Sequence, residues 1–258
     1  MYYNNNCGNY GALNENQQWK PANIAENQDL ESGHNDHKMD YEASMRLGFI
    51  RKVYGILSMQ LILTTFMCAV SITSKSFAHF QQTHPAFIWV SLIGSIIVLL
   101  AICCIPGMSR TVPANYLLLF AFTFFESYMV SAVCSTTNPR IVLMAAAMTC
   151  AITIALTVYA WTTKTDFTVC GSMLFIASCC LLIMGIFAMF FKFLHVVVAT
   201  LGIFIYAIYI IYDTQLLIGN KENALDIEDY IFGALMLYLD VINMFLYILQ
   251  LLKYFDDK

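Results

Sequence analysis

Residues 194–218 read LHVVVATLGIFIYAIYIIYDTQLLI, and residues 230–252 read YIFGALMLYLDVINMFLYILQLL. Each run is long enough to cross a hydrocarbon core of ~30 Å at ~1.5 Å per helical residue. Each also carries one aspartate, Asp213 in the first and Asp240 in the second. Working outward, five further apolar runs lie at 52–74, 86–106, 114–134, 140–161 and 168–191. The pattern predicts an all-α membrane protein, a bundle of seven transmembrane helices. Pro85, Pro106, Pro113 and Pro139 all fall at the ends of runs, where a helix is punctuated rather than broken. Trp89 and Trp161 sit near ends too, as interfacial aromatics do.

Composition agrees with this class. The 258 residues are 59% hydrophobic and only 12% charged, with a mean hydropathy of +0.66, outside the usage of soluble domains. Residues 1–45 hold seven acids against Lys20 and Lys38, so the acidic balance belongs to that stretch and gives no support to a nucleic-acid partner. Rich in Asn, Gln, Glu and Asp, residues 1–45 are expected to be a disordered polar tail, and 46–258 the seven-helix transmembrane domain. The tail has no apolar signal-peptide core, so the first span is expected to direct insertion. Arg46, Arg51 and Lys52 at that span favour a cytosolic tail, and an odd number of spans then puts the C-terminus on the far side. Eight of the nine cysteines lie in or beside apolar runs without metal-ligand spacing, and are read as packing residues, with palmitoylation of an end-of-helix Cys as the alternative. No cofactor is expected.

Charge inside the spans is the informative feature, because a carboxylate at mid-membrane must be protonated, paired or wetted. Asp213 lies about five residues before the end of its run and Asp240 about ten residues into the next. At ~1.5 Å per residue both sit roughly 8–15 Å from the same short connection. Tyr206, Tyr209 and Asp213 share one helix face, and Asp240, Asn243, Tyr247 and Gln250 share another. Antiparallel neighbours would bring the two carboxyls together, to share a proton and titrate as one unit. Such a pair is a pH switch or a cation site. The alternative is a permanently protonated pair acting as interhelical glue.

Glu126, flanked by Thr123, Ser127 and Ser131, either lines a cation path with the hard oxygen ligands that calcium prefers or is neutral and hydrogen-bonded to a neighbour. Tyr209 and Asn243 are further candidates for such a path. Gln60 and Thr64 are expected to bond between helices, His195 to be a boundary residue, and Asp226, Glu228 and Asp229 to be a solvated, acid-rich helix start.

Several segments in order carry a family likeness. Tyr212-Asp213-Thr214-Gln215 with Ile218-Gly219, and Leu237-Tyr238-Leu239-Asp240-Val241-Ile242-Asn243-Met244-Phe245, resemble the paired C-terminal signatures of the transmembrane Bax-inhibitor-motif family, Lifeguard branch. Phe49-Ile50-Arg51-Lys52-Val53-Tyr54 with Gln60-Leu61 is similar to the branch's first span, and Pro113, Asn115 and Glu126-Ser127-Tyr128 to its third. The resemblance covers residues 46–252. It implies a seven-helix bundle with the last helix central, and a pH-sensitive calcium leak channel or exchanger gated by Asp213 and Asp240. It also implies endoplasmic reticulum or Golgi membranes, with plasma or endosomal membrane as the alternative, and a role in suppressing apoptosis. Calcium would be the transported ion, and membrane cell-death regulators possible partners. Some members latch the pair with an Arg at the end of the second span; the nearest basic residue here is Arg110.

Three other classes compete with this reading. An intramembrane aspartyl protease also pairs Tyr-Asp with a second Asp, but in a Gly-x-Gly-Asp setting, whereas Leu239 and Tyr238 precede Asp240 here. A seven-helix receptor would carry Asp-Arg-Tyr and Asn-Pro-x-x-Tyr motifs that this chain lacks. A non-conducting adaptor for cell-death regulators is the remaining alternative. The expectation is therefore not an enzyme.

Overall fold

Helix boundaries follow the punctuation. Asn138 caps a helix by accepting from the Arg140 amide at 3.1 Å, with Pro139 in the first turn where its missing N–H costs nothing. Pro85 and Pro113 precede two more helices, and Gly219 ends another at φ +74°, a conformation open to glycine. The computed structural model describes residues 22–105, 107–219 and 224–256, with side chains from residue 41 onward except Lys192.

Eight α-helices are described: α1 (Ala22–Thr73), α2 (Lys75–Thr83), α3 (Ala86–Cys104), α4 (Ala114–Ser135), α5 (Pro139–Thr162), α6 (Gly171–Ala188), α7 (Lys192–Ile218) and α8 (Tyr230–Asp256), with a 3₁₀ turn at Thr168–Cys170. Seven segments among the described residues are long and apolar enough to cross a membrane: Tyr41–Thr73, α3, α4, α5, Thr168–Ala188, Phe193–Ile218 and α8. They match the seven runs read from the sequence.

Two differences stand out. The backbone is helical from Ala22, where a disordered tail was expected through residue 45; Ala22, Ala25, Glu26, Gln28, Leu30 and Glu31 are good helix formers despite the polar composition. Residues 1–21 of that tail, and Pro106, lie outside the described residues. The chain divides into two units, Met1–Ser44 and Met45–Lys258, and the second holds everything below. The other difference is α2, a short helix between the first two spans that the apolar pattern does not mark.

Burial separates the centre from the periphery. In α8, 67% of the apolar window is buried, against 11% in Thr168–Ala188. Ile231, Ala234, Leu235, Leu237, Tyr238, Ile242, Met244, Phe245, Ile248 and Leu249 bury one half of the circumference of α8, and no position from Tyr230 to Tyr254 on its other half is fully exposed, so this helix is the core of the bundle. It packs against α4, α5 and α7. Outward, Leu117, Leu143, Phe175 and Phe204 are each more than 60% exposed. In water such a surface would drive aggregation, and here it is the face offered to lipid.

Close approach of α7 to α8 depends on small residues. A Cβ at Gly202 would fall 2.6 Å from the Tyr247 ring, and one at Gly233 would fall 2.7 Å from Leu217. Apolar contact between helices gains little in lipid, so tight backbone approach and polar contacts hold such an interface.

Candidate functional site

Asp213 on α7 and Asp240 on α8 meet inside this interface. Each is 4% exposed, and their carboxyl groups lie in hydrogen-bonding contact. An ionised carboxylate only accepts, so this contact requires a proton on one member of the pair. The other Asp240 oxygen, Oδ2, is buried with no hydrogen-bond partner among the described residues. An unsatisfied buried acceptor costs roughly 1–3 kcal/mol, so the site is tuned less for stability than a fully bonded one would be.

Three tyrosines of α7 lie near the pair. Tyr206, Tyr209 and Tyr212 are within electrostatic reach of one or both carboxyls. Ser178 Oγ on α6 donates to Tyr209 Oη at 2.9 Å. Tyr206 stacks beside Tyr209 and Tyr247, with ring centres 5.7 and 5.8 Å apart. Of the three tyrosines, Tyr209 is the one in electrostatic reach of both carboxyls. Asn243, the other expected member of a path, turns its Nδ2 to the Leu239 carbonyl at 2.8 Å, a bond within its own helix. At the opposite end of the same interface, Gln250 Nε2 lies 3.1 Å from His195 Nδ1.

Glu126 stands elsewhere. Its carboxyl contacts Ser95 on α3, while the neighbours expected to share its surroundings, Thr123, Ser127 and Ser131, turn toward α1 and α2. The reason is helical spacing: 123, 127 and 131 repeat every four residues along one face, and 126 lies off it. That face forms a polar seam. Gln60 Nε2 donates to Thr123 Oγ1 at 2.9 Å, and Thr64 Oγ1 bonds Ser127 Oγ and Tyr238 Oη, each at 2.9 Å. Gln81 of α2 extends the seam, bonded to Ser71 and donating to Ser131 Oγ at 2.9 Å. Gln60 and Thr64 therefore bond between helices as read from the sequence.

Among the described residues Arg110 contacts the acids of the α7–α8 connection, not the aspartate pair for which it was the candidate latch. Its Nε and Nη2 grip the two Asp229 oxygens at 2.8 and 2.7 Å, Nη2 also reaches Asp226 at 3.1 Å, and Nη1 lies 3.6 Å from Glu228. Asp229 first, and Asp226 after it, hold the Arg110 guanidinium above its ordinary pKa. The cause of the misplacement is depth. Arg110 follows the end of α3 in a turn at Gly107, so it sits level with the α7–α8 connection, while Asp213 lies roughly 8 Å deeper at ~1.5 Å per residue. Asp226, Glu228 and Asp229, read as a merely solvated helix start, are the partners of this arginine.

Two residues near the site have a structural part that the sequence does not announce outright. Arg46, counted only for orientation, donates from Nη1 to the Leu225 carbonyl at 2.7 Å. Gln215, two positions after Asp213, is 1% exposed; it donates to the Thr165 carbonyl at 2.9 Å and accepts from the Phe167 amide at 2.8 Å. A glutamine inside an apolar run is the signal in the sequence for the second. Nothing in the sequence marks the first as facing a carbonyl 179 residues away.

Comparison with known proteins adds the lineage. Residues 46–257 match the family model described as "Inhibitor of apoptosis-promoting Bax1". The chain is 33% identical to Protein lifeguard 3 of Homo sapiens over 82% of its length and 70% of the relative's, and 31% identical to the Mus musculus protein of that name over 81% and 70%. Against Protein lifeguard 4 of Mus musculus the identity is 37%, over 83% of this chain and 88% of the relative.

Proposed function

We propose, from the premise that this chain is a multi-pass membrane protein belonging to the Bax-inhibitor family, Lifeguard branch, that it is a pH-sensitive calcium leak channel or exchanger gated by Asp213 and Asp240. Endoplasmic reticulum or Golgi membranes are its place in this reading, and restraint of cell death its cellular consequence. The observation that carries the proposal is the buried contact between the two carboxyls at the α7–α8 interface.

The mechanism follows from that contact. With one shared proton, the pair is a hydrogen bond that holds α7 against α8. Loss of the proton leaves two like charges in a space fitted to a pair that carries only one. At an effective dielectric of about 20, two charges ~4 Å apart repel by about 4 kcal/mol. That is enough to change a two-state helix equilibrium by about a thousandfold. The two helices then part, and the freed carboxylates present hard oxygen ligands of the kind a calcium ion takes. Tyr209 stands beside this opening. Glu126, facing α3, is outside it.

The test is calcium flux through purified protein in liposomes, measured across pH. Wild-type protein is expected to change its flux with pH, and Asp213→Asn and Asp240→Asn to flatten that profile. A wild-type profile in both variants would leave the pair a structural bond only.

A further inference from the structure

The connection between the two aspartate-bearing helices is held from outside by two arginines of different elements. Arg46, near the start of the first span, donates to the Leu225 carbonyl and lies so close to Gly219 that a Cβ there would fall 2.6 Å from the guanidinium. Arg110, in the turn between α3 and α4, holds Asp229 through both oxygens, one position before α8 begins, and reaches Asp226 and Glu228. Asp226 also lies within electrostatic reach of Arg46, so it stands between the two cations. Next along the chain, Tyr230 receives Lys52 over its ring at 5.4 Å and meets Asn115 Nδ2 at 3.4 Å. Groups from α1, the α3–α4 turn and α4 thus converge on one short stretch.

We propose that Arg46 and Arg110 are positioning residues for the aspartate pair: by clasping the end of α7 and the start of α8, they set the separation of the two helices that carry Asp213 and Asp240. This rests on the reading of the pair as a gate. The geometry makes the coupling direct. Asp229 adjoins the first residue of α8, and Gly219 caps α7, so both grips act at the points where the helices leave the connection. Both helices then run as continuous α-helix to the pair. A bidentate Arg–carboxylate bond fixes orientation as well as distance, which a lysine at the same place would not do. Gly219 serves the clasp twice, by its positive φ and by leaving room for Arg46.

The experiment compares calcium flux in liposomes with hydrogen exchange of the Leu225–Tyr230 amides in the same protein. Arg110→Glu is expected to speed exchange in that stretch and to change flux on the order of threefold, as loss of an exposed ion-pair network would, in the direction that alkaline pH produces in the wild type. Combining it with Asp229→Arg restores the pair in reverse and is expected to return both readouts toward wild type. Arg46→Gln should act in the same direction as Arg110→Glu. Raised salt should move wild-type flux toward that of Arg110→Gln and leave that variant unmoved. Faster exchange with unchanged flux overturns the proposal and leaves the arginines as braces for the connection alone. If the wild type conducts no calcium, the gate reading fails first and the clasp has nothing to position.

Discussion

Tyr247 of α8 lays its ring against Gly202 of α7, leaving no room for even one methyl group between them. The same ring stacks on Tyr206, whose neighbour Tyr209 reaches the aspartate pair. Gly202→Ala should therefore push Tyr247 aside and separate α7 from α8 on the side of the pair facing His195. Overpacking of this kind costs typically 1–3 kcal/mol. The expected result is a lower melting temperature in detergent, partly recovered by adding Tyr247→Leu. A variant as stable as wild type would mean that the interface is looser than this contact implies.

Thr64 joins three helices through one hydroxyl, bonded to Ser127 on α4 and Tyr238 on α8. Interhelical hydrogen bonds in membrane proteins average about 0.6 kcal/mol each, with larger values up to roughly 2. Thr64→Val strips both bonds and leaves two buried hydroxyls to find new partners, so a loss of about 1–2 kcal/mol is expected. Reversible unfolding in mixed micelles measures it. Tyr238→Phe removes one of the same bonds, and the two losses should add to less than their sum.

Much of this fold is legible without coordinates because the bilayer constrains it: seven runs, four prolines at boundaries and the two aspartates flanking one short connection lead to the bundle and to its central contact. What remains hidden is lateral. Glu126 and Thr123 are three residues apart, yet one faces α3 and the other α1, and no pattern in α4 says which neighbour stands on which side. Arg110 shows the same limit in depth, since the family resemblance offered it, as the basic residue nearest the second span, for a latch on the pair, while the turn at Gly107 holds it level with the connection. Helix α2 escaped notice because Ser74, which accepts from the Phe77 amide, caps a helix too short and too polar for the apolar pattern.

Topology is open to direct measurement. Arg46, Arg51 and Lys52 at the first span favour a cytosolic tail, and seven crossings place the C-terminus opposite. With tags at both ends, protease added to intact vesicles should remove only the N-terminal one. Removal of both would mean that one of the seven segments does not cross.

Glu126→Gln should keep the fold and alter calcium flux only partially. Its one described partner is a serine hydroxyl, to which a glutamine amide can also hydrogen-bond, and its interface is that of α3 with α4. Complete loss of flux in this variant would relocate the conducting path to α4.

The aspartate pair should behave as one unit rather than as two sites. Each carboxyl has the other as its partner at 4% exposure, so changing either one removes the shared proton. Asp213→Asn and Asp240→Asn each replace a titrating bond by an amide–carboxyl bond that no longer responds in the same way. The second substitution has little left to remove, so the double variant should resemble the single ones in its pH profile of flux. Stability should follow the same logic with a definite sign. In the wild type, raising pH strips the proton and adds a repulsion of about 4 kcal/mol at an effective dielectric of about 20, so the folded bundle should weaken as pH rises. In the double variant that pH-dependent loss should vanish. A thermodynamic cycle in which the two effects on pH dependence simply add would show two independent carboxyls, and the shared-proton gate would have to be abandoned.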